Sequence, residues 1–310
     1  MDKDSRIYVS GDSGLVGSAL VKRLKNEGYK NIITKTHNEL DLRDQSKVNE
    51  LFSKEKPEYV FAVAGKVGGI VANATYPAEF MYDNIMMEFN IIRSCYENNV
   101  KKLLFIGSSC VYPRDCKQPI KEEYLLKGNF EKTNEGFAIA KIAGLKYIEY
   151  LNKEYGTKYI SIMPTNLYGV NDKYDETTSH VIPGIIDKMH KAKINNLAKV
   201  TLWGTGKPLR EFLYADDLAD ACVYLMQNYN ENEIINVGSG EEKTIEQIAN
   251  MIKEVVGYKG KIVFDSSYPD GTYRKKLDLT KLEKIGWKSK TTLKQGLPIA
   301  YKDYLKRMEK

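Results

Sequence analysis

The stretch Ile7-Tyr8-Val9-Ser10-Gly11-Asp12-Ser13-Gly14-Leu15-Val16-Gly17 decides the fold of this chain. A short apolar run leads into a glycine-rich turn, and apolar residues then recur at helical spacing as far as Leu24. Any tight turn can use glycines, but between a strand and a helix they let backbone N–H groups approach a diphosphate. We therefore predict a dinucleotide site here. Its residues in this turn are Gly11, Gly14, Leu15, Val16 and Gly17.

Outward from this turn, short apolar runs alternate with amphipathic helical patterns through the first half of the chain. The predicted strands are residues 7–9, 31–34, 59–63, 102–106 and 159–163. Helices between successive strands imply parallel strands joined by right-handed crossovers. The sequence therefore predicts an α/β fold with a Rossmann-type doubly wound parallel sheet.

Beyond Pro164 this rhythm loosens, with longer loops and short predicted strands at 200–203, 234–237 and 261–264. We expect a boundary near Thr165. Residues 1–164 would form the nucleotide-binding domain. Residues 165–310 would form mainly a smaller C-terminal α/β substrate lobe, with some segments returning to the main sheet.

Composition excludes several classes of protein. No apolar stretch approaches the roughly 18 residues that cross a bilayer, and no signal peptide is visible, so neither a membrane nor export is expected. Four cysteines and three histidines lack metal-ligand or disulfide spacing, which indicates no metal and a reducing cytoplasm. The net charge of +6 suits an anionic ligand, but no basic block with interleaved aromatic residues indicates nucleic acid.

The end of the second strand favours NADP(H) over NAD(H). An acidic residue there would hydrogen-bond the ribose 2′-OH of NAD, but Lys35 and His37 appear instead, with no acid before Glu39. These side chains can neutralise a 2′-phosphate. The alternative is that Lys35 is an ordinary solvated lysine. Asp41, beside Leu42, lies where a carboxylate can accept a hydrogen bond from the adenine amino group.

Polar residues after the fourth strand and a helical pair further on predict the catalytic centre. Ser108 and Cys110 follow the carboxyl end of a parallel strand, which faces the ligand crevice of such sheets. Phe137 and Lys141 have the spacing of a Tyr-x-x-x-Lys pair whose hydroxyl is missing. Together these residues resemble the extended short-chain dehydrogenase/reductase family.

Longer motifs are similar to those of the GDP-L-fucose synthases within that family. They cover nearly the whole chain, at residues 66–73, 107–110, 138–144, 163–169, 179–183, 203–206, 210–213 and 269–272. Such enzymes convert GDP-4-keto-6-deoxy-mannose to GDP-fucose by epimerising C3 and C5 and then reducing the C4 ketone with NADPH. The resemblance implies the same cofactor and a GDP-linked 4-keto-6-deoxy sugar as the substrate.

The resemblance assigns roles residue by residue. Ser108 and Lys141 belong to the reductive triad, and Phe137 occupies its tyrosine position. Cys110 and His180 match the pair that moves protons at the epimerised carbons, although a lone cysteine or histidine is ordinarily structural. A thiol and an imidazole suit this work, because carbons beside a ketone are acidic.

The resemblance also implies the binding residues. Further cofactor contacts are expected at Ala64, Lys141, Pro164, Asn166, Leu167 and His180. Substrate contacts are expected at Ser108, Ser109, Asn166, Lys188, Trp203, Arg210 and Asp270. Trp203 has the alternative role of a packed strand residue, and Asn166 that of a turn residue. The long helices after the third and fourth strands resemble the pair that forms a homodimer in this family.

Two departures from the family pattern leave alternatives open. Phe137 cannot exchange a proton, and losing such help typically costs about 10²–10⁴-fold in rate. The change is typical of a substitution made to trap a ligand; a naturally altered enzyme, or one that uses water or another acid, is the alternative. Asp12-Ser13 replaces a basic residue that some members carry. Rival functions are a pure C4 reductase of a related sugar, such as a heptose, and a non-catalytic nucleotide-sugar binding protein.

Overall fold

The computed structural model describes residues 1–175 and 179–309, and its strands form three sheets. The strands are β1 (Ile7–Val9), β2 (Ile32–Ile33), β3 (Tyr59–Ala62), β4 (Lys102–Ile106), β5 (Ile160–Pro164), β6 (Asn166–Tyr168), β7 (Lys199–Trp203), β8 (Leu209–Tyr214), β9 (Ile235–Val237), β10 (Glu242–Thr244), β11 (Lys261–Asp265) and β12 (Arg274–Lys275). The largest sheet is parallel, in the order β2-β1-β3-β4-β5-β9.

Helices cover both faces of that sheet and fill the C-terminal half. They are α1 (Leu15–Asn26), α2 (Gln45–Glu55), α3 (Ile70–Thr75), α4 (Pro77–Glu97), α5 (Glu135–Tyr155), α6 (Val181–Ile194), α7 (Ala215–Asn228), α8 (Ile245–Val256), α9 (Thr280–Ile285) and α10 (Leu293–Met308). Among the helices of the described ranges, we find none long and apolar enough to span a membrane.

The central strand β4 explains why the sheet was visible in the sequence. Leu104 and Ile106 pack into the core on the side of α1 and α7, whereas Leu103 and Phe105 pack into the core on the side of α2, α4 and α5. A strand buried on both faces has a continuous apolar run instead of an alternating one. The prediction of a doubly wound parallel sheet is confirmed.

The strand bounds differ slightly from those predicted. The prediction for 31–34 is too long, because β1 offers β2 only two partners, at Ile7 and Tyr8. In the second half β9 pairs in parallel with β5 and thereby joins the main sheet. The strands β6, β8, β10 and β12 were not predicted. β6, β10 and β12 are only two or three residues long, and β8 mixes charged with apolar residues. None of the four strands therefore carries a clear period-two pattern.

A buried carboxylate joins the C-terminal half to the end of β5. The Glu211 side chain on β8 is fully buried, and it accepts hydrogen bonds from the backbone N–H of Gly240 at 2.8 Å and of Leu277 at 3.0 Å. Its backbone carbonyl accepts from Thr165 Oγ1 at 3.1 Å and Asn166 Nδ2 at 2.9 Å. Burial raises the pKa of the Glu211 carboxyl, and the backbone hydrogen bonds oppose that rise. Four segments therefore meet at one residue.

Replacing Glu211 with alanine is expected to lower the free energy of unfolding by about 2–5 kcal/mol, because the buried N–H of Leu277 and the part-buried N–H of Gly240 lose their acceptor. Chemical denaturation followed by circular dichroism measures the change. The matched control is Glu254→Ala, which removes an exposed carboxylate from α8 and should cost about 0.5 kcal/mol or less. Equal losses in the two variants would contradict the role given to Glu211.

Candidate active site

The glycine-rich turn between β1 and α1 approaches the end of β3 closely. Gly11 has a φ of 71°, and a Cβ there would lie 2.9 Å from the Cα of Ala64. A Cβ on Gly17 would lie 2.0 Å from the carbonyl oxygen of Gly11, so that position also requires glycine. Gly14 precedes α1, whose first turn, including Leu15 and Val16, carries no acidic residue. The positive end of the helix is therefore open to an anionic diphosphate.

The turn after β2 contains the residues predicted to distinguish NADP(H) from NAD(H). The Nζ of Lys35 lies 3.9 Å from Glu39 Oε1, a long ion pair on a partly exposed side chain. The Glu39 carboxylate instead accepts two short hydrogen bonds from Thr36, from the N–H at 2.8 Å and from Oγ1 at 2.7 Å. These hydrogen bonds lower the pKa of Glu39. Lys35 is thus held only weakly, and His37 beside it is exposed.

Asp41 lies in a charged cluster that the sequence did not reveal. Arg43 donates to both of its carboxylate oxygens, with Nε 3.0 Å from Oδ1 and Nη2 2.7 Å from Oδ2, and these hydrogen bonds lower the pKa of Asp41 to about 2. Arg43 also pairs with Asp83 at 3.1 Å, and Lys66 pairs with Asp83 at 2.8 Å. Asp41 therefore remains ionised. The carbonyl of its neighbour Leu42 accepts from Asn90 at 2.9 Å.

Ser108 begins the short 3-10 turn Ser109–Val111 that follows β4. Its Oγ accepts a hydrogen bond from the backbone N–H of Cys110 at 3.2 Å. Since this bond uses the oxygen only as an acceptor, the hydroxyl proton of Ser108 can still be donated to another group. Ser109 is buried, while Ser108 and Cys110 are partly exposed.

Lys141 is buried beneath this turn and pairs with a carboxylate from the adjacent helix. Its Nζ lies 2.9 Å from Glu88 Oε1 on α4, and it donates to the carbonyl of Ile106 at 3.0 Å. Burial raises the pKa of Glu88, and the ammonium of Lys141 opposes that rise. The pair fixes the ammonium at the carboxyl end of β4, one helical turn from Phe137.

Phe137, at the predicted tyrosine position, packs into a small apolar cluster. The ring is 9% exposed and packs with Ala72 and Phe80, and Cys110 contacts the same cluster. The Nζ of Lys141 lies 5.8 Å from the centre of the ring. The ring of Phe137 therefore lies near both the Cys110 thiol and the Lys141 ammonium, but it offers no exchangeable proton.

The sulfur of Cys110 accepts two hydrogen bonds. Asn134 Nδ2 and Lys275 Nζ each lie 3.3 Å from Sγ. Burial by itself raises the pKa of the Cys110 thiol. The charge of Lys275, hydrogen bonding to Ser108 and Lys275, and the charge of Arg210 outweigh burial, so the pKa of the thiol lies below its usual value.

His180 immediately precedes α6 and is the second residue of the described range 179–309. The residue is exposed, yet the protein around the imidazole lowers its pKa by desolvation. Its ring is therefore mainly neutral at neutral pH, and a neutral imidazole can accept or donate a proton.

The predicted substrate residues of the second half form two connected groups. Trp203 at the end of β7 is 37% exposed, stacks on Tyr268 with 4.7 Å between ring centres, and has Lys188 Nζ 4.5 Å from its own ring centre. Arg210 on β8 donates to the backbone carbonyl of Asp270 at 3.2 Å. The Asp270 carboxylate in turn accepts hydrogen bonds from the N–H and Oγ1 of Thr205, both at 2.7 Å.

Three predicted residues line the junction between the halves. Pro164 ends β5 and pairs with Val237, Leu167 lies in β6 and is partly buried, and the side-chain amide of Asn166 is engaged by the carbonyl of Glu211. Asn166 thus has a structural role whether or not it meets a ligand.

Sequence reasoning missed four polar residues of this region: Arg43, Glu88, Asn134 and Lys275. Glu88 had a usable signal, since it is an acid within the apolar run Met86-Met87-Glu88-Phe89 of a long helix. Arg43 lies in a loop, Asn134 in the 3-10 turn Lys132–Asn134 and Lys275 in a two-residue strand, where no periodicity distinguishes them from solvated residues.

Several known proteins are similar in sequence to this chain over most of its length. The family model described as "NAD dependent epimerase/dehydratase family" matches residues 7–238. GDP-L-fucose synthase 1 of Arabidopsis thaliana is 51% identical over 307 residues, which cover 99% of this chain and 95% of the relative. The similarity therefore extends past the dinucleotide turn into the C-terminal half.

Solved structures give the same result. A GDP-6-OMe-4-keto-L-xylo-heptose reductase from C. jejuni matches with a TM-score of 0.95 and 38% identity, covering 99% of each chain. A GDP-mannoheptose C4 reductase from Campylobacter jejuni with NADP bound matches with a TM-score of 0.90 and 40% identity, covering 98% of this chain and 99% of that one. On both sequence and structure, this chain belongs to the NAD dependent epimerase/dehydratase family, and it is similar to the GDP-L-fucose synthases along nearly its whole length.

Proposed function

We propose that this protein is an NADP(H)-dependent oxidoreductase that reduces the C4 ketone of a GDP-linked 4-keto-6-deoxy sugar and epimerises C3 and C5 at the same site. The observation that carries the proposal is the grouping of Ser108, Cys110, position 137 and Lys141 at the carboxyl end of β4. This grouping combines hydrogen-bond donors for the ketone oxygen with the Cys110 thiol, which we propose acts on the carbons adjacent to the ketone.

The first half of the chain has the features that NADP(H) requires. The helix end at Gly14 suits its diphosphate, and the weakly paired Lys35 suits a 2′-phosphate. When bound, NADPH supplies the hydride for the ketone carbon. We infer that residues 1–164 mainly hold this cofactor and that residues 165–310 mainly hold the GDP-sugar.

During reduction, negative charge develops on the C4 oxygen and has to be stabilised and then neutralised. The hydroxyl of Ser108, beside the sulfur of Cys110, serves the first need as a hydrogen-bond donor once the sugar is bound, and the buried Lys141 adds positive charge nearby. A tyrosine at position 137 would meet the second need by giving up its proton. Phe137 keeps the packing and omits that step, so we infer slow reduction by this chain.

During epimerisation, a proton leaves a carbon beside the ketone and another proton returns on the opposite face. Cys110 and His180 are the two groups proposed for these transfers. The hydrogen bonds to the sulfur and the neutral imidazole both suit proton transfer near neutral pH.

Charges and rings of the second half suit a nucleoside diphosphate. Arg210 and Lys188 are cations for the diphosphate, Trp203 offers an aromatic surface, and Asp270 positions the Arg210 guanidinium through its backbone carbonyl. We therefore assign the GDP portion of the substrate to this group of residues.

A second candidate is a pure C4 reductase of a GDP-linked 4-keto heptose. The TM-score of 0.95 with a GDP-heptose reductase favours it. Both candidates use the same reductive residues, and they differ in whether Cys110 and His180 move protons. A non-catalytic nucleotide-sugar binding protein, in which Phe137 is native, is the alternative from another class.

We also propose a cytoplasmic homodimer. The outer faces of α4 and α5 expose Tyr82, Ile139 and Tyr150, an apolar surface on two helices that pack side by side. All four cysteines are free, which suits a reducing compartment. A nucleic-acid or membrane partner forms no part of this proposal.

Changing Phe137 to tyrosine is expected to raise the rate of NADPH oxidation with a 4-keto substrate by about 10²-fold or more, because the hydroxyl supplies the missing proton. Single-turnover absorbance decay of NADPH measures this rate. Phe80→Tyr is the matched control, since it adds the same hydroxyl to a neighbouring ring of the same cluster and should give no gain. Equal rates for Phe137→Tyr and the present chain would mean that another group supplies the proton, or that the protein only binds.

In the Phe137→Tyr background, Cys110→Ser and His180→Asn should slow the uptake of solvent deuterium at C3 or C5 more than they impair NADPH binding. Mass spectrometry of the sugar nucleotide measures the uptake. Cys116→Ser, at a half-buried thiol, is the control and should leave deuterium uptake unaffected. Undiminished uptake in both active-site variants would favour the pure reductase.

Changing Lys35 to glutamate is expected to weaken NADPH binding by about 1–3 kcal/mol, the range for a charged hydrogen bond, and to leave NADH binding nearly unchanged. Dissociation constants from fluorescence titration measure both. Lys30→Glu reverses the same charge in the loop before β2, on an exposed side chain, and should affect neither cofactor. NADH binding as tight as NADPH binding in the unaltered chain would refute the assignment of Lys35.

A further inference from the structure

We propose that Lys275 is a positioning residue for Cys110, whose sulfur it holds as a thiolate facing the sugar. The proposal deepens the proposed epimerisation and rests on it for its chemical purpose. Lys275 lies outside every motif that the sequence indicated. It reaches the site because β12 pairs with β8, where Lys275 lies opposite Arg210.

The geometry at the sulfur favours an ion over a neutral thiol. Lys275 Nζ and Asn134 Nδ2 both donate to Sγ, each at 3.3 Å, and the backbone N–H of Cys110 is fixed by Ser108 Oγ. A lysine ammonium and an amide nitrogen are donors only. Two donors on one sulfur stabilise a thiolate more than a neutral thiol, because hydrogen bonds to an ionised acceptor are the stronger ones.

The charges around the sulfur point the same way. Arg210 on β8 adds a second positive charge near Cys110. Glu131 and Arg114 line the same small hollow, but they pair with each other at 3.4 Å and largely offset one another. Within residues 1–175 and 179–309 no carboxylate forms an ion pair with Lys275, so its charge is available to the sulfur. Burial of the thiol is the opposing influence, and the pKa of Cys110 is nevertheless lowered.

The proton step then balances without any further reagent. The thiolate takes a proton from a carbon beside the C4 ketone, so that the C–H bond breaks and an S–H bond forms. The electron pair of the C–H bond becomes that of an enolate, whose oxygen receives the hydrogen bond of Ser108. Lys275 takes no part in the proton transfer and acts only through the sulfur.

The test measures the ionisation of Cys110 in the full chain, without any sugar nucleotide. Iodoacetamide is the probe, and peptide-resolved mass spectrometry follows Cys110 across a series of pH values, with half-buried Cys116 as an internal reference. Loss of an opposite charge within about 4–6 Å shifts a pKa by about 1–3 units. Lys275→Gln should therefore raise the alkylation midpoint by that amount and slow alkylation at neutral pH by about ten-fold or more.

Two further variants serve as controls. Lys275→Arg retains the charge and should restore the low midpoint. Lys276→Gln removes the same charge from the next residue, whose ammonium acts on Glu211 instead, and it should leave the midpoint unchanged. An unchanged midpoint in Lys275→Gln would overturn the proposal, and a loss of GDP affinity with that result would assign Lys275 to diphosphate binding.

A pH profile links the thiolate to the reaction. In the Phe137→Tyr background, Lys275→Gln should slow deuterium uptake at neutral pH and regain it at higher pH, where the thiol ionises unaided. If the alkylation midpoint shifts but no variant exchanges deuterium, the proposed epimerisation fails and the role of Lys275 at the sulfur stands. A loss of uptake at every pH would contradict a role that acts through ionisation alone.

Discussion

The buried carboxylate of Glu211 is the constraint on which the C-terminal half depends. It accepts hydrogen bonds from Gly240 and Leu277, while its own carbonyl accepts them from Thr165 and Asn166. A carboxylate removed from water is costly unless such donors surround it, so these segments are forced to converge. The adjacent residue on β8 is Arg210, and the segment fixed at Leu277 directly follows β12. The charges proposed to meet the substrate and the sulfur are therefore placed by one structural requirement.

The packing around Phe137 and Lys141 does not depend on the chemistry that we propose for this site. Lys141 is buried against Glu88, and the ring of Phe137 fills the space beside it. Both arrangements are satisfied by packing and by charge pairing, and neither needs a hydroxyl at position 137. The phenylalanine therefore satisfies the packing at position 137, whereas only a tyrosine there could exchange a proton.

The sequence allowed prediction of those parts whose physical cause is local. Burial on both faces makes β4 a continuous apolar run, and the close approach of Gly11 to Ala64 requires glycine. Both features can therefore be recognised in the sequence. The contact between Lys275 and Cys110 depends on a two-residue strand and on a partner distant in sequence. Nothing in the residues around Lys275 distinguishes it from a solvated lysine. The grouping at Ser108, Cys110 and Lys141 was accessible through family resemblance, but their partners Asn134 and Glu88 were not.

The insertion of β9 beside β5 has a consequence for the order in which the chain can fold. Residues 235–237 complete the main sheet, although residues 1–164 contain every other strand of it. During synthesis, β5 leaves the ribosome well before its neighbour and presents an unpaired row of N–H and C=O groups. An exposed edge of this kind invites pairing with other chains. The nascent protein therefore exposes this edge during the interval between the two strands, and a fragment ending at Pro164 would expose it permanently.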